Sequence, residues 1–279
     1  MRTVCHVCMH HCSLKPGQRG LCRARKNENE KIICENYGRI TSLALDAIEK
    51  KPLKMFHSGS RILSVGSYGC NLRCAFCQNH EISMADFETV ETIYISPEAL
   101  VDKALACKAS GNIGVAFTYN EPLVGWEYIR DTGTLVKKAG MKNVLVTNGT
   151  ASIETLEEIL PLTDAMNIDL KGFNELYYKE LGGDLETVKE FILRAAAGCH
   201  VELTTLIVPG KNDTISEMEE EAEWIASVEA TVGKKIPLHI TRFFPRYHMA
   251  DREATEVEKV YGLAETARKY LEYVFVGNC

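Results

Sequence analysis

Cys70, Cys74 and Cys77 fall within eight positions as Cys70-x3-Cys74-x2-Cys77. Thiolates are soft ligands, and cysteine runs with two- or three-residue gaps are the ligand pattern of iron–sulfur clusters. A cubane has four irons, so three cysteines leave one iron open, as a catalytic zinc keeps one position free for chemistry. The spacing i, i+4, i+7 is also one face of a helix, which would make the three buried core thiols. Gly66 and Gly69 just upstream favour a tight loop instead, and with it a metal.

A second group, Cys5-x2-Cys8-x3-Cys12-x9-Cys22, supplies four thiolates, with Pro16-Gly17 and Gly20 turning the chain back. Four ligands make a closed site, either tetrahedral structural zinc or a second, fully ligated iron–sulfur cluster. The spacing matches neither standard pattern closely, and His6, His10 or His11 is able to replace one cysteine. A short appendage without a sizeable core of its own gains stability from a metal. Zinc would make this site a scaffold; a cluster would let it pass electrons.

The whole chain fits these readings. Its 279 residues are 46% hydrophobic and 25% charged with only 20 Gly and 8 Pro, which excludes a disordered or collagen-like chain. A net charge of −6 offers no basic field for nucleic acid or an anionic membrane surface. No run of eighteen apolar residues and no apolar N-terminal stretch is present, so a cytoplasmic protein is expected. In that reducing compartment eleven cysteines, an odd number, point to metal or catalysis rather than to disulfides.

The elements that must position the cysteines begin at Ile62. Six β-branched runs, 62–65, 114–117, 143–146, 165–169, 201–208 and 237–241, alternate with helical stretches at 97–110, 125–139, 152–159, 184–197, 214–230 and 253–272. This is the α/β pattern of a parallel sheet, and six βα units make a partial (β/α)6 TIM-like barrel rather than a closed eight-stranded one. Residues 1–58 form a small Cys-rich appendage and 59–279 the barrel. Within the appendage, 31–35 and 39–45 are expected to pair as a hairpin about Asn36-Tyr37-Gly38. The acidic run Glu217 to Glu223 is expected to be a solvated helix face. Functional loops of such sheets follow the carboxyl ends of the strands. Cys70, Glu121, Thr147, Asn148, Asp169, Lys171 and Arg242 all fall there, on one rim.

With Phe76 just before the third cysteine, after the first strand of a partial barrel, the cysteine loop resembles that of the radical S-adenosylmethionine (SAM) superfamily. The resemblance covers roughly residues 60–275. It is greatest to the activating enzymes of glycyl-radical enzymes related to pyruvate formate-lyase activase. Among these, Glu49-Lys50-Lys51-Pro52-Leu53, Phe117 to Pro122, Val146 to Gly149, Asp169 to Lys171 and His239 to Pro245 resemble the AmmeMemoRadiSam radical enzymes.

The resemblance implies a [4Fe–4S] cluster on Cys70, Cys74 and Cys77 whose open iron chelates SAM. Reductive cleavage then yields a 5′-deoxyadenosyl radical that abstracts hydrogen from a protein glycine or from a smaller substrate. It also implies an electron donor such as flavodoxin or ferredoxin, and Memo-like proteins as partners. Glu121 corresponds to the acidic end of a Gly-Gly-Glu motif that accepts from the SAM amino group, with Tyr119 and Asn120 replacing the glycines. Thr147 and Asn148 match an Asp-Thr-Asn-Gly motif in which Val146 replaces the aspartate. Asp169 and Lys171 match an Asp-x-Lys motif. Lys171 is expected at the SAM carboxylate, and the counterpart of Asp169 shares a monovalent cation with the aspartate that is missing here. Phe76 is expected near the adenine, and His239 and Arg242 near the ribose or substrate.

Plainer roles stand beside these: Glu121 as a loop carboxylate before Pro122, Asp169 and Lys171 as a strand-end ion pair, Phe76 as a core aromatic and His239 as a satisfied structural histidine. The competing functions are a non-catalytic metal-binding module and a barrel enzyme using Glu121, Asp169 and Lys171 as acid–base groups. Motif matches at five of the six strand ends favour the radical enzyme.

Overall fold

The β-branched runs become one eight-stranded sheet in a computed structural model that describes residues 1–279. Its strands are β1 (Ser42–Ala47), β2 (Arg61–Gly66), β3 (Asn112–Phe117), β4 (Lys142–Thr147), β5 (Ala165–Asp169), β6 (His200–Ile207), β7 (Leu238–Arg242) and β8 (Val274–Gly277). They lie side by side in chain order. β2 through β8 run parallel, and β1 pairs antiparallel with β2. The six expected strands are all present, in an open partial barrel.

Helices cover the outside. Pro97–Ala106, Trp126–Lys138, Ile153–Ile159, Leu185–Gly198, Ile215–Val232 and Val257–Ala267 match the six helical stretches. Caps set their starts: the side chains of Ser96, Ser152, Asp184 and Thr214 each accept a hydrogen bond from the backbone N–H three residues on. Between helices and sheet lies a core of 46 buried apolar residues, large enough to hold the strand ends rigid.

Four expectations need correction. Lys31–Cys34 pairs not with the segment after Gly38 but with Arg25–Glu28. The tight turn is Asn29-Glu30, both with positive φ (50° and 64°), as a two-residue hairpin of matching twist requires. Asn36 is instead pinned to the barrel, donating to the Tyr68 carbonyl at 3.0 Å. Second, β1 lies before the division at residue 58 yet forms the edge of the barrel sheet. Third, the last helix is shorter than 253–272, because the chain must leave it to form β8, a seventh parallel strand. Fourth, the acidic run is not wholly solvated: Glu221 is buried and accepts from Thr205 Oγ1 on β6.

The segment between β1 and β2 closes the barrel from within. Ile48 and Leu53 are fully buried with Ile62, Ala116, Val144 and Ala165. Glu202 on β6, also fully buried, accepts from the Lys54 and Met55 backbone N–H groups at 2.9 and 2.8 Å. Covering Leu53 contributes roughly 2–3 kcal/mol.

Candidate active site

The residues after β2 form a loop, not a helix, so the three cysteines are not one face of a core helix. Gly69 makes the loop possible. Its φ is +91°, and a Cβ there would meet the Cys22 carbonyl oxygen at 2.5 Å. Cys70, Cys74 and Cys77 line one cavity of about 490 Å³ at the carboxyl ends of the strands. Burial pushes the Cys74 thiol up to about 11 and raises Cys70 as well, with the neighbouring thiols adding to both. Buried clustered thiols of this kind become stable thiolates when a cationic metal centre neutralises them.

The donor set fits a cluster. Leu72 N–H donates to Cys70 Sγ at 3.4 Å and the Asn148 amide reaches the same sulfur at 3.7 Å, contacts that stabilise a thiolate.

Glu121, Thr147, Asn148, Asp169, Lys171, Phe76 and Arg242 line the same cavity. Glu121 follows β3 and is buried. Its Oε1 accepts from Thr147 Oγ1 at 2.7 Å and from Leu123 N–H at 3.0 Å, and its Oε2 from Asn148 N–H at 2.7 Å. A carboxylate has about four acceptor positions, so one remains, on Oε2. Burial raises the carboxyl to about 7 despite these three donors. It is therefore suited to a cationic partner, which would restore the charge that burial disfavours.

Two residues replace the glycines before it. Tyr119 has φ +75°, the left-handed region that glycine favours, and several contacts hold it there. Asn79 Nδ2 donates to its carbonyl at 2.7 Å, and its hydroxyl donates to Asp46 Oδ2 at 2.8 Å. Lys51 lies 4.7 Å over its ring and donates to the same Asp46 oxygen at 2.9 Å. Asn120 takes up the loop backbone, donating to the Tyr68 and Gly69 carbonyls and accepting from Ser67 N–H. Asp46 did not stand out in the sequence and Lys51 did so only within the segment Glu49 to Leu53, because their link to Tyr119 is made only through the fold.

Lys171 Nζ lies 2.6 Å from Asp169 Oδ2 within the cavity. Burial alone would lower the lysine, but Asp169 and Cys74 lift it above its ordinary value, so it stays a cation. Val146 lines the cavity and has no side-chain oxygen to offer. Phe76 is both a lining residue and a core one, packed with Leu72, Tyr177, Leu181, Val208 and Phe243. Arg242 Nε donates to the Thr255 carbonyl at 2.6 Å, and its guanidinium lies 4.9 Å over the Phe244 ring.

His239 is the exception. It does not line the cavity; its Nε2 lies 2.6 Å from Glu202 Oε2, while His200 Nε2 lies 3.0 Å from Oε1. Its position on β7, three residues before the rim residue Arg242, sets it deeper in the barrel, so the expected contact with ribose or substrate is corrected to a structural one.

Comparison with known proteins agrees with this geometry. The Radical SAM superfamily model matches residues 64–225. An uncharacterized protein of Methanocaldococcus jannaschii is 38% identical over 98% of this chain and 80% of its own length. The pyruvate formate-lyase-activating enzyme of Clostridium pasteurianum is 28% identical over 73% of this chain and 89% of its own. Among solved structures, Streptococcus suis SuiB bound to S-adenosylmethionine superposes with a TM-score of 0.60 at 13% identity, covering 78% of this chain and 52% of that one. The chain belongs to the radical SAM superfamily. It is an enzyme of that class, similar to pyruvate formate-lyase activases, with a [4Fe–4S] cluster and SAM as its cofactors. No helix is long and apolar enough to cross a membrane.

Proposed function

We propose that the protein uses SAM-derived radical chemistry to abstract hydrogen from a macromolecular substrate, a protein glycine being the favoured target. The observation that carries this reading is the convergence of Cys70, Cys74 and Cys77 with Glu121 and Lys171 in one cavity open at the barrel rim. When bound, the cluster and SAM supply the electron and the 5′-deoxyadenosyl radical. The polypeptide supplies position and exclusion of water. The free acceptor position of Glu121 receives the SAM ammonium, and Lys171 offers its cation to the carboxylate. Phe76, packed on Leu72 and Phe243, walls the site with apolar surface. Phe244, exposed, and Arg246 border the same cavity and are the groups a docking substrate meets first.

Similarity to the activases over most of the chain supports a protein glycine over a small molecule. A flavodoxin- or ferredoxin-class protein is the electron donor on this reading. Memo-like proteins are the first substrates or partners to try.

The test is anaerobic reconstitution with SAM and a chemical reductant. The intact protein is expected to release 5′-deoxyadenosine and methionine, and Cys74→Ala to release neither. Cleavage by Cys74→Ala equal to the intact protein's would remove the assignment. Incubation with candidate partner proteins then separates the substrate readings, by a glycyl radical signal or a mass change elsewhere.

A further inference from the structure

The four N-terminal cysteines are packed directly against the catalytic loop. Cys5, Cys8 and Cys22 are buried, and Cys5 N–H donates to the Cys12 carbonyl at 2.9 Å. Four thiols gathered in a closed set at this spacing are the ligands of a fully coordinated metal centre. The buried Arg25 guanidinium, paired with Glu127, lies close enough to attract the thiolates of Cys5 and Cys22.

Position separates a redox role from a scaffold. Gly69 lies so near the Cys22 carbonyl that a Cβ would meet its oxygen at 2.5 Å, and His10 Nε2 lies 2.8 Å from the Asn71 carbonyl oxygen. Residues 7–9 run along 150–152: Ser152 N–H donates to the Val7 carbonyl and Met9 N–H to that of Thr150. The Asn71 amide donates to Thr150 Oγ1 at 2.7 Å, next to the backbone bridge of Cys8 with Ala151, and its Oδ1 accepts at 3.0 Å from Asn148, whose amide also contacts Cys70 Sγ. Two side-chain amides therefore span from the backbone beside Cys8 to a sulfur of the catalytic set. A scaffold metal requires no such proximity, whereas electron tunnelling falls steeply with distance and does.

We propose that Cys5, Cys8, Cys12 and Cys22 hold a second iron–sulfur cluster that relays electrons to the catalytic cluster across Asn71 and Asn148. This rests on the radical reading of the cavity above. A low-potential one-electron protein donor, of the flavodoxin or ferredoxin class, gives one electron to the N-terminal cluster and is itself oxidised. The same electron passes to the catalytic cluster, which returns the first to its oxidised state; no bond is made and no proton moves. Four protein ligands leave this cluster no open iron, which suits it to transfer rather than to binding SAM.

The test compares three full-length proteins reconstituted anaerobically, by metal and sulfide analysis and by electron paramagnetic resonance. The intact chain is expected to hold about eight irons. The triple variant Cys70→Ala, Cys74→Ala, Cys77→Ala is expected to keep about four, with a reducible signal insensitive to SAM. The double variant Cys8→Ser, Cys12→Ser is expected to keep the SAM-sensitive signal but to lose most of its reduction by the protein donor. Zinc in place of iron in the triple variant would overturn the relay, as would undiminished donor-dependent reduction in the double variant. Iron kept in the triple variant but absent from the double would sink the radical reading, and the relay with it.

Discussion

At the scale of single residues, the site depends on charges that burial would otherwise remove. Glu121 keeps one acceptor position for an ammonium. Glu121→Gln is expected to retain the cluster while weakening SAM binding by about 1.5–3 kcal/mol, or ten- to a hundredfold, through loss of a charge-assisted bond. Equilibrium binding to reconstituted protein measures this, and an unchanged affinity would place the ammonium elsewhere. Beside it, Lys51 and Asp46 form a pair whose side chains are 3% and 12% exposed, and they steady the left-handed Tyr119. Lys51→Met leaves Asp46 with only the exposed Lys50, at 3.4 Å, as its cation and is expected to destabilise by about 1–3 kcal/mol. Adding Asp46→Asn should recover part of that loss in denaturant unfolding. Equal stability of Lys51→Met and the parent would show that the pair contributes nothing.

At the scale of elements, the helix Ile215–Val232 carries a carboxyl that the sheet holds protonated. Burial raises Glu221 to about 8, against its one bond from Thr205. The folded state thus binds a proton that the unfolded chain releases above an ordinary glutamate value. The stabilisation is complete below about pH 4.5 and fades as pH rises through 8. Glu221→Gln removes this titration. Its stability relative to the parent is therefore expected to improve by a few kcal/mol between pH 5 and pH 8. Parallel stability curves for the two proteins across that range would show that Glu221 does not titrate there.

At the scale of the whole molecule, Glu202 ties three separated parts of the chain together. It joins β6 to the segment 48–58 through two backbone N–H groups and to β7 through His239. Against the upward pull of burial, His200, His239 and those N–H donors lower its carboxyl to about 2. Here the sign is the reverse of Glu221: the stabilisation is present above the ordinary glutamate value and is lost as pH falls through 2. Glu202→Ala is expected to lower unfolding stability at pH 7 by about 3 kcal/mol, leaving buried donors unpaired. The difference from the parent should shrink in acid. A difference that does not change between pH 7 and pH 2 would refute the ionised tie.

Local pattern was enough for six of the eight barrel strands and for the cysteine loop, because alternation and ligand spacing are short-range properties. Gly69 and the Cys70-x3-Cys74-x2-Cys77 run each declare their role within a few residues. Their common rim followed from the rule that loops after parallel strands carry the chemistry. Pairing partners did not follow, since Lys31–Cys34 can satisfy its backbone with a strand on either side and the Asn29-Glu30 turn decided it. Nor did the depth of His239, the network of Asp46, Lys51 and Tyr119, or the burial of Glu221. Each of these is a contact between residues far apart in the chain, and only closing the sheet around them brings their charges into one low-dielectric interior.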